Sequence, residues 1–276
     1  MGQPVVRGVD SDRVVNGALK LHAGLVYAFL YLPILVVVIY AFNDSRLVQV
    51  WQGFSTRWFG EAWRDETLRR AFFISVTTAS ANAVIATTLG TAAALGLRNV
   101  GRKTRTAFDV FMYMTLITPE LVSAIAALLF FVTVGIPLGP VAIVITHSIF
   151  NTSVVALIVR SRLATLDRTL EEASRDLGAT RFATFRGVTF PQLVPALMAG
   201  ALLAFTFSFD DVVLSSFVSG PGSTPLPVEI FSQLRFGLSP KINVVAVTTL
   251  AITITFIVTA QLMLRRDTKR IQKEAA

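Results

Sequence analysis

The chain contains no cysteine and only two histidines in 276 residues. The first absence excludes a disulfide framework, thiolate metal sites and a thiol nucleophile. The second leaves no metal constellation, because His22 and His147 lie in different apolar segments without a neighbouring carboxylate pattern. No glycine is followed by lysine, so a phosphate-binding G-x-x-x-x-G-K-[ST] loop is missing and ATP chemistry falls to another subunit. Charge is scarce as well: 15% of residues are charged and 53% are apolar, against about 25% charged in soluble domains. The net charge of +8 and a pI near 10.4 would suggest a nucleic-acid partner in a soluble protein. In a membrane protein the same excess is first a question of where the positive residues sit.

Six segments free of Lys and Arg are long enough to cross about 30 Å of hydrocarbon as helices. They run from His22 to Phe42, Ala71 to Leu97, Thr106 to Thr133, Leu138 to Val159, Pro191 to Phe217 and Ile242 to Leu264. The third and fourth are parted only by Gly135-Ile136-Pro137-Leu138-Gly139-Pro140, a helix-breaking run. Of the 25 Lys and Arg residues, 18 fall in the two tails and the loops after the second and fourth spans. The positive-inside rule therefore predicts that both termini are cytoplasmic. The expected architecture is all-α and integral to the membrane: a tail over 1–21, a six-helix transmembrane domain over 22–264 and a tail over 265–276. The first span, with a modest basic flank and no small-residue cleavage site, is expected to be retained as a helix.

The segment 160–190 is too patterned for a plain connection. Thr169 followed by Glu172 has capping-box spacing, Leu170, Ala173 and Leu177 form a short apolar stripe, and Gly178 stands where a helix would end. A second short helix is expected from Thr180 to Gly187. A surface-lying amphipathic helix explains these features equally well on their own. The order Glu172-Ala173-Ser174, three residues, Gly178, nine residues, Val188-Thr189-Phe190-Pro191 nevertheless closely resembles the EAA signature of inner-membrane permease subunits of ABC importers. Ser174, Val188 and Phe190 depart mildly from its usual Ala, Ile and Leu. The resemblance implies a type I importer permease fold whose coupling helix docks on an ATP-hydrolysing subunit. Glu172, Ala173, Ser174, Leu177, Gly178 and Pro191 would carry that role.

Three carboxylates lie in the apolar segments: Glu120 in the third span, and Asp210 and Asp211 in the fifth. Counted along an unbroken helix, Glu120 falls near the bilayer midplane. Burying an ionised group there costs about 2.5 to 3.5 kcal/mol, and such groups usually face a bundle interior or an aqueous path. On a continuous helix Asp211 shares a face with Ala204, Ser208 and Ser215, and Asp210 one with Thr206, Phe207 and Leu214. The smaller, more polar face favours Asp211 as the path-lining residue. Protonation, pairing with another subunit and local backbone capping are the alternatives. His147, Asn151 and Thr152 read as interhelical hydrogen bonders rather than ligands.

The run Ser208-Phe209-Asp210-Asp211-Val212-Val213-Leu214-Ser215-Ser216-Phe217, then Ser219-Gly220-Pro221-Gly222, Leu226-Pro227 and Gly237-Leu238-Ser239-Pro240, is similar to the second permease subunit of spermidine/putrescine importers, as is Pro119-Glu120. That resemblance implies a polyamine path through Glu120, Asp210, Asp211 and Ser208, with Trp58 as an aromatic partner. Spaced carboxylates and aromatic faces suit the ammonium groups and methylenes of a linear polycation. An interfacial aromatic belt with Trp51, Phe54, Phe59 and Trp63 is the plainer reading of Trp58. Further implications are a homologous second permease, two ATP-binding subunits holding ATP and Mg, an extracytoplasmic binding protein, and residence in a bacterial inner membrane. Neither a nucleic-acid partner nor a cofactor within this chain is expected.

Two rival functions remain at the level of sequence. One is an ABC permease for another small solute, such as an aminophosphonate or organic cation. The other is an intramembrane Asp-dependent enzyme, which would need aspartates on two helices or a D-D-x-x-D cluster; Asp210-Asp211-Val212-Val213-Leu214 supplies neither.

Overall fold

A computed structural model describes residues 9–46, 50–236 and 240–255. It is built from helices, with a single isolated β-bridge, Asn43 to Phe54, among the described residues. The chain divides into two compact units, one of Met1–Arg64 with Gly237–Ala276, the other of Asp65–Phe236.

The first unit contains α1 (Val9–Ala41), α2 (Arg57–Arg64) and α12 (Pro240–Thr255). After α1 the chain folds over Asn43, whose buried amide donates to Val50 O at 2.7 Å and accepts from Gln52 N at 2.9 Å. Phe42 stacks on Phe54 at 5.4 Å and contacts Phe59. One buried amide and one aromatic stack thus give a short polar loop a defined shape without strands.

The second unit holds α3 (Glu66–Gly96), α4 (Arg102–Ile117), α5 (Glu120–Val134), α6 (Pro140–Thr165), α7 (Arg168–Asp176), α8 (Arg181–Thr184), a π-helical turn (Phe185–Thr189), α9 (Phe190–Phe209), α10 (Val213–Val218) and α11 (Leu226–Phe236). Its centre is the mutual packing of α3, α6 and α9. Buried Ala79, Ala83, Ala86, Gly90 and Ala94 make a small-residue stripe on α3. Small residues let backbones approach where lipid offers no hydrophobic drive between helices. At Gly90 an added Cβ would sit 2.8 Å from the Thr152 carbonyl, so only glycine permits this approach. Asn82 links all three helices, donating to Ala204 O at 2.9 Å and accepting from Ser148 Oγ at 3.2 Å.

Four helices are long and apolar enough to cross a membrane: Val15–Ala41, Glu66–Gly96, Pro140–Thr165 and Arg181–Phe209. Two of the expected spans are corrected. The third is broken: α4 and α5 meet at a 103° bend. Pro119 has no N–H for a continuing helix and forces Thr118 into an extended conformation, φ −60 and ψ 127. The fifth breaks after Phe209 and resumes as the short α10. The sixth, Ile242 to Leu264, is described only as far as Thr255, and Gly237-Leu238-Ser239, the residues beyond Thr255 and the first eight residues lie outside the described set. The predicted separation of the third and fourth spans is present, with Gly135 as a left-handed cap at φ +77.

Candidate functional site

The two helix breaks bring the three intramembrane carboxylates together. Glu120 is the first residue of α5, directly after the Pro119 bend. Asp210 is the C-cap of α9, and Asp211 stands before α10. Glu120 and Asp211 approach closely enough for their carboxyl groups to interact directly. A carboxylate at a helix start meets free N–H groups and the positive end of the helix dipole, which offsets part of the cost of holding charge away from water.

Asp211 keeps the company of Ala204, Ser208 and Ser215 that helical-face reasoning gives it, and all four are buried. Asp211 is 8% exposed, whereas Asp210 and Glu120 are exposed. Asp211 Oδ2 accepts from Ser215 N at 2.6 Å and Oδ1 from Leu214 N at 3.4 Å. The side chain that competes for these backbone donors is what interrupts the helix and restarts it. Behind it His147 of α6 is 2% exposed. Its Nε2 lies 3.2 Å from Asp211 Oδ2 and 3.3 Å from Ser215 Oγ, and its Nδ1 2.7 Å from Ser208 Oγ. Ser208 therefore backs the acid cluster and does not face outward. His147 is an interhelical hydrogen bonder as expected, but Asn151 Oδ1 and Thr152 Oγ1 are buried without a hydrogen-bond partner among the described residues.

Trp58 belongs to the other unit and is described within it. It is 6% exposed, with the Arg57 guanidinium 4.5 Å from its ring centroid. Trp51, Phe54 and Trp63 are exposed at 48%, 74% and 65%. Those three have the exposure of a membrane-surface belt, and Trp58 does not.

The 160–190 segment is nearly all helical. α7 starts two residues earlier than the capping box suggested: Asp167, not Thr169, is the N-cap and accepts from Thr169 N at 2.9 Å. That same hydrogen bond holds the Asp167 carboxyl below its usual range. An ionised carboxylate is the stronger acceptor for free helix N–H groups, so it wins the start. The end is as predicted. Gly178, at φ +87, donates to Arg175 O at 2.8 Å while Ala179 donates to Ser174 O at 3.1 Å, the paired bonds of a Schellman cap. Thr180 caps α8 through Ala183 N. The helix then does not stop at Gly187 but continues through the π turn into α9. Pro191 cannot donate to Gly187 O and its ring crowds that carbonyl, and the wider π turn directly before it makes room.

The motif's outward face is exposed: Glu172 and Ala173, with Leu177 at 90% and Leu170 at 49%, and Phe182 of α8 at 71%. Ser174 turns inward and lies 3.2 Å from buried Thr184 Oγ1, fastening α7 to α8. The residue that motif reading missed is Glu171. It accepts from both terminal nitrogens of Arg98, at 3.0 and 3.2 Å, and from Thr189 Oγ1 at 2.7 Å. The Arg98 hydrogen bonds, opposed by partial burial, hold its carboxyl below the ordinary glutamate range. The clasp joins the start of α7 to Arg98, two residues beyond α3, and to the π turn. An ion pair of Arg160 with Asp109 ties α6 to α4 in the same region.

The second unit thus combines membrane-length helices with an exposed helical hook in one connection and an acid cluster at paired helix breaks. The family model of the binding-protein-dependent transport system inner membrane component matches residues 86–272. The chain is 43% identical over 254 residues to the putrescine transport system permease protein PotI of Escherichia coli (strain K12), covering 89% of this chain and 90% of the relative. It is 36% identical over 244 residues to the spermidine/putrescine transport system permease protein PotC of the same organism, covering 88% and 92%. In fold it matches a bacterial ABC transporter involved in import of the acidic polysaccharide alginate, with a TM-score of 0.75, 14% identity and coverage of 93% and 97%. An amino acid ABC transporter matches with a TM-score of 0.60 at 18% identity, covering 76% of this chain and 98% of the other. At such identity the likeness is of fold alone. The chain belongs to the family of inner-membrane components of binding-protein-dependent transport systems. It is a transport subunit and not an enzyme, like its permease relatives.

Proposed function

We propose that the chain forms half of the translocation path of an ATP-driven importer of polyamines, putrescine and spermidine being the cargo class. The observation that carries this is the gathering of Glu120, Asp210 and Asp211 at two helix breaks, the first and second exposed, in segments with no Lys or Arg. Discontinuous helices are where transporters commonly place their cargo sites, because only there do backbone ends and charged side chains reach the interior. A bare anion would instead call for Arg or for helix N-termini left open to it, and the helix starts at these breaks already carry carboxylates. The names of the relatives point to the same cargo.

In this reading six helices span the inner membrane with both ends cytoplasmic, and a homologous second permease closes the path. Two ATP-binding subunits sit below, and an extracytoplasmic binding protein delivers cargo from above. The α7 hook docks in the ATPase through Glu172, Ala173 and Leu177, their exposure supporting a partner-covered surface. Gly178 gives the hook its sharp exit, while Ser174 and Pro191 shape its base. ATP-driven closure of the ATPases then moves the hooks and turns the path outward. Competition of labelled putrescine uptake by unlabelled spermidine, in cells expressing the complete system, tests the cargo. Uptake that polyamines do not inhibit would overturn it.

A further inference from the structure

We propose that His147 is a positioning residue for cargo passage: its imidazole pins the break between α9 and α10, so that Asp211 stays buried and Asp210 and Glu120 are presented to a passing ammonium group. This rests on the cargo reading above.

The ring touches every part of the break. Nδ1 meets Ser208, in the last turn of α9, and Nε2 meets Asp211 in the break and Ser215 in α10, at 2.7, 3.2 and 3.3 Å. Ser208, Asp211 and Ser215 are 5%, 8% and 0% exposed and His147 itself 2%, so the contacts form a closed polar core. Their chemistry orders the protons. Both Asp211 oxygens accept backbone N–H groups; with the carboxyl as acceptor towards the ring as well, Nε2 carries the hydrogen, Nδ1 is left to accept, and the Ser208 hydroxyl donates to it. The hydroxyl thereby selects the tautomer that Asp211 needs, as an outer hydrogen bond selects the tautomer of a metal-bound histidine. Irregular backbone inside a membrane persists only where its polar groups are satisfied. Asp211 satisfies Leu214 N and Ser215 N, and His147 holds Asp211 in place from a neighbouring helix.

Two amides separate positioning from packing. The Gln side chain places its nitrogen near that of Nε2, and the Asn side chain near that of Nδ1. In proteoliposomes carrying the complete importer with its binding protein, His147→Gln keeps the KM for labelled putrescine within about threefold of the parent. His147→Asn raises KM about tenfold or more with a much smaller change in maximal rate, the scale on which outer-shell partners act. In an Asp211→Asn background the Gln/Asn contrast disappears. Equal KM for the two variants, or a contrast that survives in Asp211→Asn, overturns the proposal in favour of packing. Should His147→Asn fail to assemble, Ser208→Ala serves instead: KM rises if the hydroxyl sets the tautomer, and an unchanged KM overturns the assignment. If the parent importer takes up no polyamine, the cargo reading fails. The Gln/Asn contrast is then read in ATP hydrolysis stimulated by the loaded binding protein, where its absence overturns the positioning role.

Discussion

The acid cluster at the helix breaks and the clasp beneath the α7 hook are built alike. Each uses two adjacent acids. In Asp210-Asp211 the second is buried against His147, while the first is exposed. In Glu171-Glu172 the first is held by Arg98 and Thr189, and the second is exposed. In both places one carboxylate shapes the backbone and its neighbour is left for a partner. The difference lies in the surroundings. Asp211 is enclosed by helices in apolar segments and draws on backbone N–H groups and an imidazole, whereas Glu171 lies in a more open setting with a guanidinium fork. Removing an anchor should therefore cost more in the first pair than in the second.

The sharpest way to break the comparison is to remove both anchors in turn. Asp211→Ala leaves Leu214 N, Ser215 N and His147 without their acceptor, and is expected to lower the stability of the purified assembly by about 3 kcal/mol and to abolish uptake. Thermal denaturation and transport assays check both. Arg98→Ala strands Glu171 and is expected to cost about 1 to 3 kcal/mol, with ATP hydrolysis less tightly linked to uptake. If Arg98→Ala proves the more damaging, the ranking of the two anchors is wrong.

Acid sharpens the comparison at the clasp. Because the Glu171 carboxyl is held below its ordinary range by Arg98, its contribution is present above the unfolded-state glutamate value and is lost as pH falls through the depressed folded-state value. Melting temperature followed through that acid window should drop more steeply for the parent than for Arg98→Ala. Parallel curves would show that the clasp contributes nothing to this titration. The smallest stability effects belong to the exposed acids. Asp210→Asn and Glu172→Gln should each remain within about 0.5 kcal/mol of the parent while failing differently: Asp210→Asn in cargo KM, Glu172→Gln in coupling of ATP hydrolysis to uptake. Measuring both in one reconstituted system distinguishes the exposed members of the two pairs.

Much of this was legible in the chain. The parting of the third and fourth spans at Gly135, the Gly178 exit and the Thr180 start appear where local chemistry put them. Pro119 was an equally local signal, and counting Glu120 along an unbroken helix overlooked it. The break at Asp210 was harder to see, because nothing in Phe209-Asp210-Asp211-Val212 forbids a helix by propensity alone. Glu171 was hidden for a different reason. Its partner Arg98 is 73 residues away, and only folding makes them neighbours.

Composition, apolar runs and motif spacing by themselves determined a helical membrane chain, without cysteine or a P-loop, carrying a patterned hook and three acids in apolar segments. These are consequences of local propensity and of the bilayer's demand that backbone groups be satisfied within each segment. Tertiary structure decided which acid of each pair is anchored and which is presented. That choice depends on what a neighbouring helix places behind the carboxylate: His147 and Ser208 for one pair, Arg98 and Thr189 for the other. No residue's own identity encodes such a partner, since a hydrogen bond between helices exists only once they have packed.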